Sequence, residues 1–147
     1  MKQLRAVGPV KYGSTMIADT NVLVRVWAGD DAIQAAQAQD AMAKAQHIYV
    51  PVPAFCEFVW VLRQIYRLSG VEIAGAIRTL ISNDRVIVQL DAVTAGLSFL
   101  DAGGDFADGI VEFEGRRLGG RVFATFDRRA AMIIRGQGRE CLLLGSK

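Results

Sequence analysis

Histidine occurs once, at His47, and cysteine only twice, at Cys56 and Cys141, with neither a CxxC nor an HExxH spacing. So few soft donors cannot build a tetrahedral zinc site without carboxylates, and zinc chemistry is not expected. The two cysteines lie far apart, and Cys56 sits in an apolar segment where a free thiol behaves as a small hydrophobe. A reducing cytoplasm suits that usage. Proline is scarce, at 3 of 147 residues, and no repeat, low-complexity stretch or Ser/Pro linker divides the chain. With 52% hydrophobic and 22% charged residues, one globular domain is expected. Long apolar runs are missing as well. The longest, Ile48 to Leu62, covers 15 residues and includes Glu57 and two prolines, short of the roughly 18–20 residues that a membrane span requires. Residues 1–15 carry three cations but no apolar h-region or small-residue cleavage site. Neither export nor membrane insertion is expected, and the location implied is cytoplasmic.

Charge is unevenly placed. The stretch from Asp19 to Val111 has 6 basic against 11 acidic side chains, whereas Glu112 to Lys147 has 8 against 4. Seven of the 13 arginines fall in that last quarter: Arg116, Arg117, Arg121, Arg128, Arg129, Arg135 and Arg139. Guanidinium is well shaped for phosphate, although solvated helix faces explain the same composition.

Strand and helix patterns alternate along the chain. Met16–Asp19 reads as a short buried strand, followed by a helix through Val22, Leu23 and Val26 that Gly29 ends. Ala32–Gln46 has strong helical propensity, Ile48–Val52 is a β-branched strand, and Pro53 opens a helix whose apolar residues run to Tyr66. Helical periodicity returns at Val71–Ile81, a strand at Val86–Leu90, and helices at Ala92–Ala102 and from Asp105 or Phe106 to Leu118. Arg121–Phe126, Arg128–Ile134 and Cys141–Leu144 complete the series as strand, helix and strand. Short apolar strands separated by helices predict a parallel sheet covered on both faces, an α/β sandwich.

Acidic residues interrupt this pattern where strands end and helices begin, and a buried unpaired carboxylate is costly. Asp19 ends the first strand, ahead of Thr20 and Asn21. Glu57 is the only charged residue between Ile48 and Leu62 and is flanked in sequence by Phe55, Phe58 and Trp60. Asp105 and Asp108 are spaced to share one side of a helix start, with Asp105 the better cap and Asp108 the better ligand. Asp127 follows a strand and precedes Arg128 and Arg129. Helix capping explains Asp19, Asp105 or Asp127 singly. Together, carboxylates gathered at the carboxyl edge of a parallel sheet would repel one another unless a divalent cation binds them, and all-oxygen ligands select Mg²⁺ or Mn²⁺.

Asp19-Thr20-Asn21-Val22-Leu23, Pro53-Ala54-Phe55-Cys56-Glu57, Asp105-Phe106-Ala107-Asp108-Gly109-Ile110 and Ala124-Thr125-Phe126-Asp127 together resemble a PIN domain, in detail the VapC-type ribonuclease toxins of bacterial toxin–antitoxin pairs. The resemblance covers about Met16 to Leu144. It implies a three-layer sandwich on a five-stranded parallel sheet, a Mg²⁺-dependent endoribonuclease, a homodimer, and silencing by a cognate antitoxin. By position, Asp19, Glu57, Asp108 and Asp127 match the family's acidic quartet and Asp105 a frequent additional acid, while Thr20, Asn21 and Thr125 match polar neighbours that orient the quartet. Two departures stand out. Residues 1–15 form an N-terminal extension before a domain at 16–147, and Gly109 stands where the pattern favours Ala, a change that weakens a helix by up to about 1 kcal/mol.

In the implied chemistry Asp19 and Asp108 hold Mg²⁺ directly, with Glu57 and Asp127 acting through water or orienting the attacking hydroxide, so no histidine base is needed. His47 precedes the second strand and belongs at the far end of the sheet. Arg128, Arg116 and Arg117 are the expected RNA phosphate contacts. Trp27, Phe55, Phe58, Trp60 and Leu62 supply core, with surplus for a dimer seam or an antitoxin groove. An aspartate-based phosphatase would want a second Asp where Asn21 stands, and a receiver-type domain would want a strand-end lysine that has no counterpart. A catalytically inactive PIN-like scaffold is the non-enzymatic alternative.

Overall fold

The computed structural model describes residues 14–145, so all but Ser14 and Thr15 of the expected N-terminal extension lies outside the described residues. Among the described residues, five strands and seven helices follow in the order β1 (Thr15–Ile17), α1 (Thr20–Ala28), α2 (Ala32–Lys44), β2 (His47–Tyr49), α3 (Val52–Gln64), α4 (Gly70–Ile81), β3 (Val86–Ile87), α5 (Leu90–Asp101), α6 (Phe106–Arg117), β4 (Val122–Thr125), α7 (Arg128–Gly136) and β5 (Glu140–Leu143). None of these helices is long and apolar enough to cross a membrane.

Local chemistry sets most boundaries. Gly29 ends α1 in the left-handed conformation (φ 65°), which costs a glycine little. Ser69 and Glu72 form a reciprocal capping box at the start of α4. The strands are shorter than the apolar runs suggest. β2 stops at Tyr49 because Pro51 has no N–H for a ladder and instead caps α3, which starts at Val52. β3 keeps only Val86 and Ile87, since Leu90 already belongs to α5.

Strands β1, β2 and β3 form one parallel sheet in that order, with Met16 opposite Ile48 and Ile48 opposite Val86. Strands β4 and β5 form a second parallel sheet, Val122 opposite Glu140 and Thr125 opposite Leu143. This corrects the expected five-stranded sheet with helices on both faces: helices and strands alternate as predicted, but the ladder breaks into three strands and two. The apolar face of β4 and β5 is satisfied elsewhere. Phe123 and Cys141 pack with Ala130, Ile133 and Ile134 of α7 and Phe99 of α5, a small core of its own. Burial alternates along β4 and β5, so only one face of that sheet is covered. At the end of β1, Ile17 is 75% exposed.

The larger core lies under α1, α3, α4 and α5, with Phe55, Phe58, Leu62, Ile73 and Ile77 buried. Trp60 is 59% exposed and Trp27 more than a third, so the surplus aromatic surface expected from sequence consists of the two tryptophans. Glu112 of α6 is 5% exposed and is held by two guanidiniums, Arg116 Nε at 2.8 Å and Arg139 Nε at 3.1 Å, both donating to Oε2. Arg139 Nη2 sits 3.0 Å from Oε1, off the hydrogen-bonding angle. This ion cluster ties α6 to the approach to β5.

Helices α5 and α6 cross at glycine. A Cβ on Gly96 would stand 2.4 Å from the Phe106 ring, and one on Gly109 would stand 2.6 Å from the Ala95 carbonyl oxygen and 3.0 Å from the Gly96 Cα. Gly109 is therefore required by backbone approach, which outweighs the helix propensity that alanine would add. Overpacking costs about 1–3 kcal/mol against roughly 1 kcal/mol of propensity gained. Gly109→Ala is expected to lower the thermal unfolding midpoint by roughly 2–8 °C; a variant as stable as the wild type by calorimetry would refute the close crossing.

Candidate active site

Asp19 leaves β1 and caps α1, its Oδ1 accepting the Thr20 N–H at 2.8 Å. Thr20 is buried, and its Oγ1 donates to Glu57 Oε2 at 3.1 Å. One hydroxyl thus joins the residue next to Asp19 to the acid on α3. Glu57 is exposed, while Phe55 and Phe58 turn into the core. Of the aromatics that flank Glu57 in sequence, Phe55 and Phe58 are therefore rotated away from it, while Trp60, three residues on and exposed, shares its face. Asn21 is exposed on the first turn of α1.

Asp105 caps α6 by accepting the Asp108 N–H at 3.2 Å. Asp127 caps α7, its Oδ1 accepting from the N–H groups of Arg129 (2.8 Å) and Ala130 (3.0 Å), and its own N–H donates to Thr125 Oγ1 at 3.0 Å. The positive ends of α1, α6 and α7 therefore each face a carboxylate. Asp108 is half-buried. Burial pushes its carboxyl above the usual value, and the charges of Asp105 and Asp127 push it further. Cys56, the residue before Glu57, is raised by burial and by the Asp105 charge. Asp105 is thereby felt both by Asp108 and by the helix that carries Glu57.

The acids fall into two neighbourhoods, Asp19 with Glu57 through Thr20, and Asp105 with Asp108 and Asp127 through their charge. Among the described residues no three His, Cys, Asp or Glu side chains are gathered closely enough to hold a metal ion, so the single assembled site expected from sequence is not met. Three of the five carboxylates turn an oxygen toward backbone N–H groups, and the charges of Asp105 and Asp127 oppose that of Asp108. The donor chemistry still suits a hard divalent cation, because every donor is a carboxylate oxygen and Asp108 sits in excess negative charge that a cation would relieve.

His47 begins β2 level with Thr15, at the opposite end of the sheet from Asp19. Of the arginines expected to meet phosphate, Arg128 is exposed at the start of α7, Arg116 binds Glu112, and Arg117 lies 3.3 Å from Glu114. Sequence reasoning passed over two others. Arg63 and Arg129 line a cleft of about 340 Å³ together with Asp105, Asp127, Gly103, Gly104 and Ala130. Arg63 stands seven residues after Cys56 and so shares its side of α3, a signal present in the spacing. Which of Arg128 and Arg129 faces inward is not a matter of spacing at all.

In the unfolded chain Asp108 ionises at its ordinary value of 3.8, whereas the fold resists that ionisation to higher pH. The folded state is thus penalised once pH rises past 3.8, fully so above the raised value, and the penalty disappears below 3.8, where both states are protonated. Asp108→Asn is expected to raise the unfolding midpoint at neutral pH without added divalent ions, and to lose that advantage as pH falls to the ordinary carboxylate range. A midpoint difference independent of pH would contradict the charge crowding.

No curated relative matches the chain. The family model described as PIN domain does match, over residues 16–134. That span opens within the strand leading to Asp19 and closes within the helix capped by Asp127, taking in the whole acidic constellation, and the chain belongs to the PIN-domain family.

Proposed function

We propose that the chain is a Mg²⁺-dependent endoribonuclease of the VapC toxin type, with Mn²⁺ as a substitute ion. The observation that carries this reading is the match to the PIN-domain family over residues 16–134, which takes in Asp19, Glu57, Asp105, Asp108 and Asp127, with Asp19, Asp105 and Asp127 each at a helix start. Asp19 and Asp108 would hold the ion, with Asp105 beside them, while Glu57 and Asp127 orient a water for in-line attack. When bound, the ion supplies positive charge for the phosphate and eases deprotonation of water at neutral pH. Thr20 fixes Glu57 through its 3.1 Å hydrogen bond, and Thr125 fixes the turn that presents Asp127. Of the three arginines expected to meet RNA phosphate, Arg128 is the proposed contact, since Arg116 and Arg117 are engaged by Glu112 and Glu114.

Protein partners belong to the same reading. An apolar groove of about 490 Å³, lined by Leu23, Val26, Trp27, Met42, Phe58 and Leu80 among others, supports an antitoxin segment, and exposed Trp60 supports a homodimer. A cytoplasmic location follows from that role. That no three acids among the described residues are gathered closely enough for a metal ion favours one second reading, a PIN-like scaffold that binds without turnover.

The purified protein is expected to cleave structured RNA with Mg²⁺ or Mn²⁺ and to stop in EDTA. Asp19→Asn and Asp108→Asn should each abolish cleavage while the chain stays folded. Sequencing of RNA ends after controlled expression would identify the target. Robust cleavage in EDTA would contradict the metal role, and failure of the intact chain to cut any RNA with either ion would leave the scaffold.

A further inference from the structure

Three of the seven arginines around the second sheet are neutralised within the fold: Arg116 and Arg139 by Glu112, and Arg117 by Glu114. Among the described residues, Arg63 and Arg129 form no ion pair, although both line the cleft that contains Asp105 and Asp127. They reach it from separate elements, α3 and α7, and each is seated on a glycine. A Cβ on Gly103 (φ 82°) would stand 2.7 Å from Arg129 Nη1, and one on Gly70 would stand 3.5 Å from Arg63 Nη2. Only Gly103 is a close approach, since 3.5 Å is ordinary contact. Two cations are thus held beside two carboxylates at the edge of the acidic site.

We infer that Arg63 and Arg129 form a two-armed grip for a backbone phosphate of single-stranded RNA, holding the strand against the carboxylates. The inference rests on the nuclease reading and assigns its substrate contact to residues outside the acidic quartet. A guanidinium presents a fork of N–H donors that matches the non-bridging oxygens of a phosphodiester. Such an anion carries one negative charge, which two guanidiniums can offset in the presence of neighbouring aspartates. Arg128, exposed beside Arg129, prolongs the positive charge along the path of a polyanion, an advantage that a single acidic side chain could not use.

The test is fluorescence anisotropy with a labelled single-stranded RNA oligonucleotide in EDTA, where no cleavage competes, across a salt series. Arg63→Gln and Arg129→Gln singly, and the double variant, are compared with wild type and with Lys44→Gln, a charge removal in the Asp40 pair on α2. Each single variant is expected to weaken binding about tenfold, the scale of a lost charge-assisted hydrogen bond. The double variant should flatten the dependence of log K on log salt by about 0.7, the single-strand value for the one phosphate that the two arginines share. Lys44→Gln should leave both unchanged, and circular dichroism should show all variants folded. Unaltered affinity and slope in the folded double variant would overturn the grip while leaving Mg²⁺-dependent cleavage to stand or fall on its own assay. Arginine-dependent binding without any cleavage would keep the grip and reject the nuclease. A polyglutamate peptide that binds more tightly than the RNA and depends on the same arginines would overturn the phosphate assignment in favour of an acidic protein segment.

Discussion

Aspartate at a helix start serves two purposes in this protein, and the fold depends on the first. Asp19, Asp105 and Asp127 each accept backbone N–H groups that would otherwise lack partners, a contribution of typically about 1 kcal/mol per cap. The same contact fixes where each carboxylate stands, because a cap has no freedom to move without fraying its helix. The second oxygen of each remains available. A site assembled this way is anchored by secondary structure rather than by a separate network, so the positions of its acids are as firm as the helices they begin.

That economy concentrates charge. Asp108 lies on the first turn of α6, directly over its cap and within reach of Asp127, and it is the acid whose ionisation the fold resists. Helix dipoles ease the load on the capping acids but not the mutual repulsion. The neighbourhood therefore trades stability for a pocket of negative potential, the kind of local conflict found where a protein binds something of opposite sign. The guanidiniums of Arg63 and Arg129 moderate the field at its rim without closing an ion pair with either aspartate.

Much of this was legible from residue order. The alternation of strand and helix, the glycine end of α1, the proline start of α3 and the assignment of Asp105 as cap all rest on local stereochemistry that a single sequence states. Sheet continuity does not. Whether β1 pairs with β4 depends on which surfaces α5 and α7 cover, and Phe99, Ile133 and Ile134 draw β4 and β5 into a core of their own. Glu57 misled for a related reason: proximity in a helical sequence is not proximity in space. Gly109 looked like a weak point in α6 and is instead the contact that lets α5 approach, a relation visible only when Gly96 stands opposite.

The buried Glu112 gives the second sheet a restraint that its two-stranded ladder could not provide. One carboxylate answers a guanidinium from its own helix and another from the turn before β5, so removing Arg139 would leave a buried anion with a single partner. Asp108 and Asp127 ride on opposite sides of this hinge-like junction. The ionic latch consequently ties α6, which carries Asp108, to the stretch leading into β5 through a carboxylate that is itself buried.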